Sequence, residues 1–163
     1  MKIPIVNEQD EIIEYKERED RKLSDIIRIT AIWITDDTGN ILLQQRKFDK
    51  KVNPNKWGPA ASGTIEEGES YESNAYKELE EETGVKGIKL VESKKFFGRT
   101  ANGGRRFAQL YLGKVSKDQK LIPQESEVQQ LKWFSVYEFK KYLSEKPDDF
   151  VGIMEDILLF LNI

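Results

Sequence analysis

Two residue types that carry much of protein chemistry are missing from this chain, because its 163 residues include no cysteine and no histidine. The absence of cysteine excludes disulfides, thiolate nucleophiles and cysteine-based metal sites. The absence of histidine removes the side chain that titrates near neutral pH and the commonest ligand of transition metals. Any proton transfer must therefore use carboxylates, lysine, tyrosine or metal-bound water, and any metal should be bound by oxygen atoms.

Long apolar runs, a signal-peptide pattern and a strong excess of one charge are also lacking. Hydrophobic residues make up 38% of the chain, charged residues make up 34%, and the net charge is −3. This balance is ordinary for a globular protein and favours neither a nucleic acid nor a membrane as partner. We expect one domain over residues 1–163, located in the cytoplasm.

The hydrophobic pattern predicts an α/β (α+β) fold with a mixed sheet. A hairpin extension is expected over residues 1–20, and a long polar loop over residues 48–68. The other predicted strands cover residues 29–34, 41–45, 90–99, 105–115 and the region of 131–134. Helical spacing covers residues 70–83, 136–143 and 150–161, the last begun at Asp148 or Asp149.

Glutamates are concentrated on the predicted helix of residues 70–83. At about 100° of rotation per residue, Glu78, Glu81 and Glu82 lie within about 100° of arc on one helix face. Carboxylates held this close raise one another's pKa, and a hard divalent cation such as Mg²⁺ relieves their repulsion. A glutamate-rich helix is also commonly just a solvated face, so the surrounding spacing must decide between the two interpretations.

Residues 63–85, GTIEEGESYESNAYKELEEETGV, resemble the Nudix box. That box has a glycine, then a glutamate, then an arginine–glutamate–hydrophobic triplet, two more glutamates and a closing glycine–hydrophobic pair. The residues that match, with every gap of the expected length, are Gly63, Glu69, Glu78, Leu79, Glu81, Glu82, Gly84 and Val85. Lys77 stands where the family has arginine. The chain is therefore similar to Nudix hydrolases.

The resemblance implies a mixed sheet sandwiched between helices, with the box forming a loop–helix–loop. It also implies that Glu69 and Lys77 form a supporting pair that orients the glutamate cluster. Lysine supplies the charge of arginine without its planar fork, so we expect a looser orientation and a lower catalytic rate. The implied ligands of Mg²⁺, or of Mn²⁺ as a substitute, are Glu78, Glu81, Glu82 and the carbonyl of Gly63.

The implied reaction is hydrolysis of a phosphoanhydride bond in a nucleoside diphosphate linked to another moiety, or in a related diphosphate. Such hydrolysis needs charge neutralisation on the phosphoryl oxygens and an activated water. Because histidine is absent, the general base should be a glutamate. The candidates are Glu81 in the box, or Glu125 and Glu127 in the loop before Trp133.

Basic and aromatic residues are candidates for substrate binding. Guanidinium groups bind phosphates, and aromatic rings stack on bases. The candidates are Arg46, Arg99, Arg105 and Arg106 for phosphates, and Trp57 and Phe97 for a base. A solvated hairpin and two core aromatics would explain the same residues. The expected partner is a small-molecule diphosphate, and a homodimer is a candidate assembly because relatives commonly dimerise.

Beyond the box, residues 39–63 resemble the Nudix branch related to isopentenyl-diphosphate isomerases. Those isomerases protonate an alkene with cysteine and glutamate around a histidine-rich metal site. Here the corresponding stretch, residues 60–64, reads AASGT, and neither cysteine nor histidine occurs anywhere. Isomerase chemistry is therefore rejected. The remaining alternative is a catalytically silent nucleotide-binding or regulatory module, which only the Lys77 departure favours.

Overall fold

The computed structural model describes residues 1–163, which form nine β-strands and three α-helices. The first strands are β1 (Lys2–Val6), β2 (Ile12–Glu17), β3 (Ile26–Thr35), β4 (Ile41–Arg46), β5 (Trp57–Pro59) and β6 (Ala61–Thr64). The others are β7 (Val91–Arg99), β8 (Arg105–Lys114) and β9 (Val128–Phe134). The helices are α1 (Tyr71–Thr83), α2 (Val136–Glu145) and α3 (Ile153–Leu161). None of these helices has the length and apolar character that crossing a bilayer requires.

Strand β3 organises the mixed sheet. It pairs in parallel with β8 and antiparallel with β1, β4 and β6. Strand β7 extends the sheet beyond β8, and β9 and β5 pair with β4. Since β6 and β8 pair with the same stretch of β3, they lie on opposite sides of it. The order β7–β8–β3–β6 sets the positions of the site residues described below.

Alternating side chains of β3 separate two cores. Trp33 faces a cluster that contains Phe139 of α2 and Met154 of α3. Ile32 faces a second cluster with Leu79 of α1. Because successive side chains of a strand point to opposite faces, α1 covers one face of the sheet, and α2 and α3 cover the other. The predicted mixed sheet between helices is confirmed.

Helix α1 is bounded by strong end signals. The side chain of Ser70 accepts from the backbone N–H of Ser73, while Ser73 reciprocates towards Ser70, forming a capping box. Gly84 ends the helix with a φ of 74°, a conformation that glycine adopts without a steric penalty. The predicted helix is confirmed. Its fixed ends set the positions from which its glutamate side chains project.

Two predictions of local structure were wrong. Residues 48–68 are not one loop, because β5 and β6 lie within them and pair with β4 and β3. The last helix begins at Ile153 rather than at Asp148 or Asp149. Residues 147–149 form a short 3₁₀ turn instead, and Phe150 is extended because it bridges to Trp57. Both errors arise because these segments pair with residues distant in the sequence, and local sequence patterns do not reveal such pairing.

Candidate active site

A cleft of about 550 Å³ opens beside the sheet where β3, β6, β8 and α1 meet. Its walls include most of the residues that the sequence singles out. Those that line the cleft are Gly63, Glu78, Glu81, Glu82, Arg46, Arg99, Arg106 and Glu127. The cleft wall does not include Glu69, Lys77, Glu125, Trp57, Phe97 or Arg105.

Glu82 is the most enclosed carboxylate in the cleft, with 6% of its surface exposed. Its Oε2 accepts from Nε2 of Gln44 at 2.5 Å and from the backbone N–H of Ser62 at 3.0 Å. Burial, and next the neighbouring Glu78, raise the pKa of Glu82 to about 8 despite these hydrogen bonds. A buried charge held by two donors is costly without a cation, so the arrangement favours a positively charged ligand.

Glu78 lies one turn earlier, against β6. A Cβ atom at Gly63 would overlap the carboxylate of Glu78, so the glycine leaves the space that this side chain fills. Burial raises the pKa of Glu78 to about 7, and Lys77 opposes that shift. The backbone of β6 and the acidic face of α1 thus meet at Gly63.

Glu69 and Lys77, which the sequence predicts to be a supporting pair, form an ion pair outside the cleft. Their Oε1 and Nζ atoms are 2.5 Å apart, and Nζ of Lys77 is also 3.7 Å from Oε1 of Glu78. Burial alone would raise the pKa of Glu69, but hydrogen bonds from Lys77, the Glu66 backbone and Asn74 lower it. Glu69 therefore stays charged and holds Lys77 beside the cluster.

Asn74 connects this pair to the sheet. It is fully buried, and its Oδ1 accepts from the hydroxyl of Thr30. Its Nδ2 donates to Oε2 of Glu69 at 2.8 Å and to Oε1 of Glu78 at 3.4 Å. The amide thus fixes two box glutamates relative to the central strand.

The oxygen donors fit a hard divalent cation, although their side chains are not gathered around a point. No group of three or more acidic side chains is arranged as a ready metal cage. Glu81 is exposed at the cleft, and both hydrogen bonds of Glu82 fall on Oε2. The Oε1 atom of Glu82 and the exposed carboxylate of Glu81 are available as ligands, which suits Mg²⁺ because it keeps several waters.

The two loop candidates for the general base lie in different places. Glu127 lines the cleft, contributes to the raised pKa of Glu82, and pairs with Nζ of Lys50 at 2.7 Å. Glu125 is exposed, and its backbone carbonyl accepts from Lys47. Of these two loop glutamates, only Glu127 is near the cluster.

The predicted base-stacking residues lie elsewhere. Trp57 is buried in the core and packs edge-on against Phe134, with ring centroids 5.2 Å apart. Phe97 is half exposed and packs against Phe107. No aromatic side chain lines the cleft. Base stacking on these residues therefore has no support from the geometry.

Of the basic residues predicted to bind phosphate, some line the cleft and one does not. Arg46 lines the cleft, and its Nε donates to the carbonyl of Val52. Arg105 points away from the cleft, where it donates to the carbonyl of Ser24 and pairs with Glu8 at 3.4 Å. Its neighbour Arg106 does line the cleft. Strand alternation between the two residues explains this difference.

The sequence did not predict three residues of the site and its cleft. Gln44, Asn74 and Arg21 take part in the site or its cleft only through the folded sheet. Gln44 gives a local signal, because a polar residue follows the buried run of residues 41–43 on β4. Asn74 and Arg21 carry no such signal.

Comparison with known proteins assigns a family to this architecture. Residues 26–152 match the NUDIX domain family. An uncharacterized Nudix hydrolase of Yersinia pestis is 33% identical over 96 residues, which are 58% of this chain and 53% of that protein. The chain spans about half the length of the curated relatives that it matches first.

Solved structures show the same fold. A protein of Deinococcus radiodurans superposes with a TM-score of 0.81 at 18% identity, covering 96% of each chain. An Ap4A hydrolase of C. elegans superposes with a TM-score of 0.62 at 20% identity, covering 83% of this chain and 95% of that one. At these identities the likeness concerns the fold alone.

Proposed function

Because the chain belongs to the Nudix family, we propose that it hydrolyses a phosphoanhydride bond of a diphosphate in a Mg²⁺-dependent reaction. The substrate class is a nucleoside diphosphate linked to another moiety, or a related diphosphate. The observation that carries the proposal is Glu82, a buried carboxylate beside Glu78 that borders the cleft and has a raised pKa. Such a group has the electrostatic character of a metal ligand or a catalytic carboxylate.

The metal would be held by the acidic face of α1 and the neighbouring strand. When bound, Mg²⁺ neutralises phosphoryl charge and acidifies its water. Gln44 and Ser62 orient Glu82, while Asn74 and Lys77 orient Glu78. The proposed ligands are Glu78, Glu81, Glu82 and the carbonyl of Gly63.

A proton must leave the attacking water, and Glu127 is the proposed acceptor. Glu127 lines the cleft and forms an ion pair with Lys50. With Glu81 assigned to the metal, Glu127 is the remaining predicted base that lines the cleft. Arg46 lies on the same side and would neutralise charge on the substrate.

A catalytically silent module gains no support from the geometry. The Lys77 departure is what favours it, yet Lys77 makes the ion pair with Glu69 that the supporting role requires. The acidic face of α1 also borders an open cleft rather than a filled core.

The test is a screen for phosphate or nucleotide release with nucleoside triphosphates, nucleotide sugars, dinucleoside polyphosphates and prenyl diphosphates in Mg²⁺. We expect turnover that chelator abolishes, and a fall of about 100-fold or more in kcat for Glu82→Gln, as for loss of a catalytic carboxylate. The control is Glu80→Gln, since Glu80 is exposed and outside the cleft. Binding without turnover on every compound, or full activity of Glu82→Gln, would refute the proposal.

A further inference from the structure

Arg106 is a buried cation without a hydrogen-bond or salt-bridge partner. Its residue is 5% exposed, it forms no ion pair or hydrogen bond, and its Nε is fully buried and unsatisfied. The guanidinium lies over Gly98, at 3.7 Å from where a Cβ would stand, and the side chain lines the cleft. An unpaired buried guanidinium is expensive, so its retention at a cleft wall points to an anionic ligand.

Other arginines surround the same end of the cleft, beside the turn between β7 and β8. Arg99 donates to the carbonyl of Gly103, and Arg21 donates to Oδ1 of Asn102 at 3.4 Å. Both line the cleft and neither forms an ion pair. We call Arg21, Arg99 and Arg106 the arginine end. None of the three forms a salt bridge, although Asp156 acts electrostatically on Arg106 and Asp25 acts on Arg21.

The arginine end lies apart from the glutamate cluster. On β3, Arg106 pairs in register with Ile27, whereas Gly63 pairs with Thr30. Three residues along a strand span about 10 Å, and two strand spacings span about 10 Å, so the two Cα atoms are about 14 Å apart. Arg106 lies on the sheet face of Ala108 and Leu110, which α2 and α3 cover, whereas Gly63 faces Glu78 of α1, so the cleft that both line joins the two faces of the sheet. A cation with its diphosphate at the glutamates and a second anion at Arg106 would each occupy several ångströms of this distance, which leaves room for a sugar-sized spacer between them.

We propose that the arginine end is a second anion site, so that the preferred substrate carries a phosphate monoester at the end opposite its diphosphate, on a sugar-sized and non-aromatic spacer. This inference rests on the proposed function. A phosphate fits because it carries nearly two negative charges and several acceptor oxygens for more than one guanidinium. The lack of aromatic lining in the cleft supports the same choice.

The experiment compares two ribose diphosphates that differ at the far end. In 5-phosphoribose 1-diphosphate that end is a phosphate, and in adenosine diphosphate it is a base. In each compound water attacks the terminal phosphorus of the diphosphate, and the bridging oxygen leaves with the inner phosphorus. Both reactions release orthophosphate. Hydrolysis of 5-phosphoribose 1-diphosphate also yields ribose 1,5-bisphosphate. We expect kcat/KM to be at least about tenfold higher for the first compound, the value of one charge-assisted hydrogen bond.

Variants at adjacent positions supply the matched control. Arg106→Met should remove that preference, lowering kcat/KM by about 10–100-fold for 5-phosphoribose 1-diphosphate and little for adenosine diphosphate. Arg105→Met should leave both values unchanged, since Arg105 points away from the cleft. Without ligand, Arg106→Met should unfold at no lower a temperature than the wild type, because it removes an unpaired buried charge. Arg106→Lys, which keeps the charge without the fork, should be intermediate.

Equal or better turnover of adenosine diphosphate, or an equal loss on both substrates in Arg106→Met, would overturn the inference. If neither compound is turned over, calorimetric binding of 5-phosphoribose 1-diphosphate in Ca²⁺ still decides it. Binding that weakens at least about tenfold in Arg106→Met supports the second anion site, and unchanged binding refutes it. Failure of hydrolysis with that binding intact would count against the proposed function alone.

Discussion

At the scale of single residues, Lys77 carries a compact ammonium charge at the position where the Nudix box has the planar guanidinium of arginine. The ion pair with Glu69 is partly exposed, so its effect on folding free energy is small and its role is orientation. We expect Lys77→Met to lower kcat by about 10–100-fold, as for lost supporting residues around a metal. KM should change little, and Lys77→Arg should equal or exceed the wild type. Steady-state kinetics in saturating Mg²⁺ measure this; an unchanged kcat in Lys77→Met would argue against an orienting role.

Glu125 and Glu127 offer a matched pair for locating the general base. Both belong to one loop, but only Glu127 lines the cleft. We expect Glu127→Gln to reduce kcat by about 100-fold or more, the usual effect of losing general base catalysis. Glu125→Gln should retain wild-type kcat. If the two variants behave alike, the base is elsewhere, and Glu81 becomes the candidate.

At the scale of elements, the contact between β6 and α1 sets the position of the cluster. Gly63 does not have a positive φ, so alanine is compatible with its strand backbone. Its added methyl group would, however, displace the carboxylate of Glu78. We expect Gly63→Ala to stay folded, with a near-native melting temperature, but to lose about tenfold or more in kcat and to need more Mg²⁺. Native Mg²⁺ dependence in this variant would show that the close approach has no catalytic role.

Elements with local signals were predictable, and those that depend on distant pairing were not. Ser70 and Gly84 are the caps of α1, so the sequence predicts both the helix and its acidic face. Strands β5 and β6 are short and contain glycine and proline, and they exist because β3 and β4 offer them partners. The same limit applies to the site: box spacing predicts Glu78 and Glu82, but not the amide of Asn74 that links α1 to β3.

At the scale of the whole molecule, the absence of histidine simplifies the dependence of stability on pH. Between pH 5 and 7.5, Glu78 and Glu82 are the carboxylates whose raised pKa values, about 7 and about 8, fall in or next to that range. Asp36, by contrast, has its pKa lowered to about 2 by hydrogen bonds from Asn40 and Thr38 that outweigh burial. It stays charged throughout this range in both the folded and the unfolded state.

The sign of the effect follows from proton binding. Above the unfolded-state pKa of 4.5, the unfolded chain has released these two protons while the folded protein still binds them. The free energy of unfolding therefore falls as pH rises towards the folded-state values, by at most about 1.4 kcal/mol per pH unit for each group. Without metal, we expect the melting temperature to fall between pH 5 and 7.5, as measured by calorimetry.

Mg²⁺ should reverse this fall, because the proposed site binds it through deprotonated carboxylates and a ligand of the folded state stabilises that state by mass action. The increase in melting temperature that Mg²⁺ produces should therefore grow from pH 5 to pH 7.5. Glu82→Gln should flatten the metal-free profile and shrink the Mg²⁺ effect, whereas Glu80→Gln should change neither. A metal-free melting temperature that rises over this range would mean that Glu78 and Glu82 are not the groups that couple folding, protons and metal.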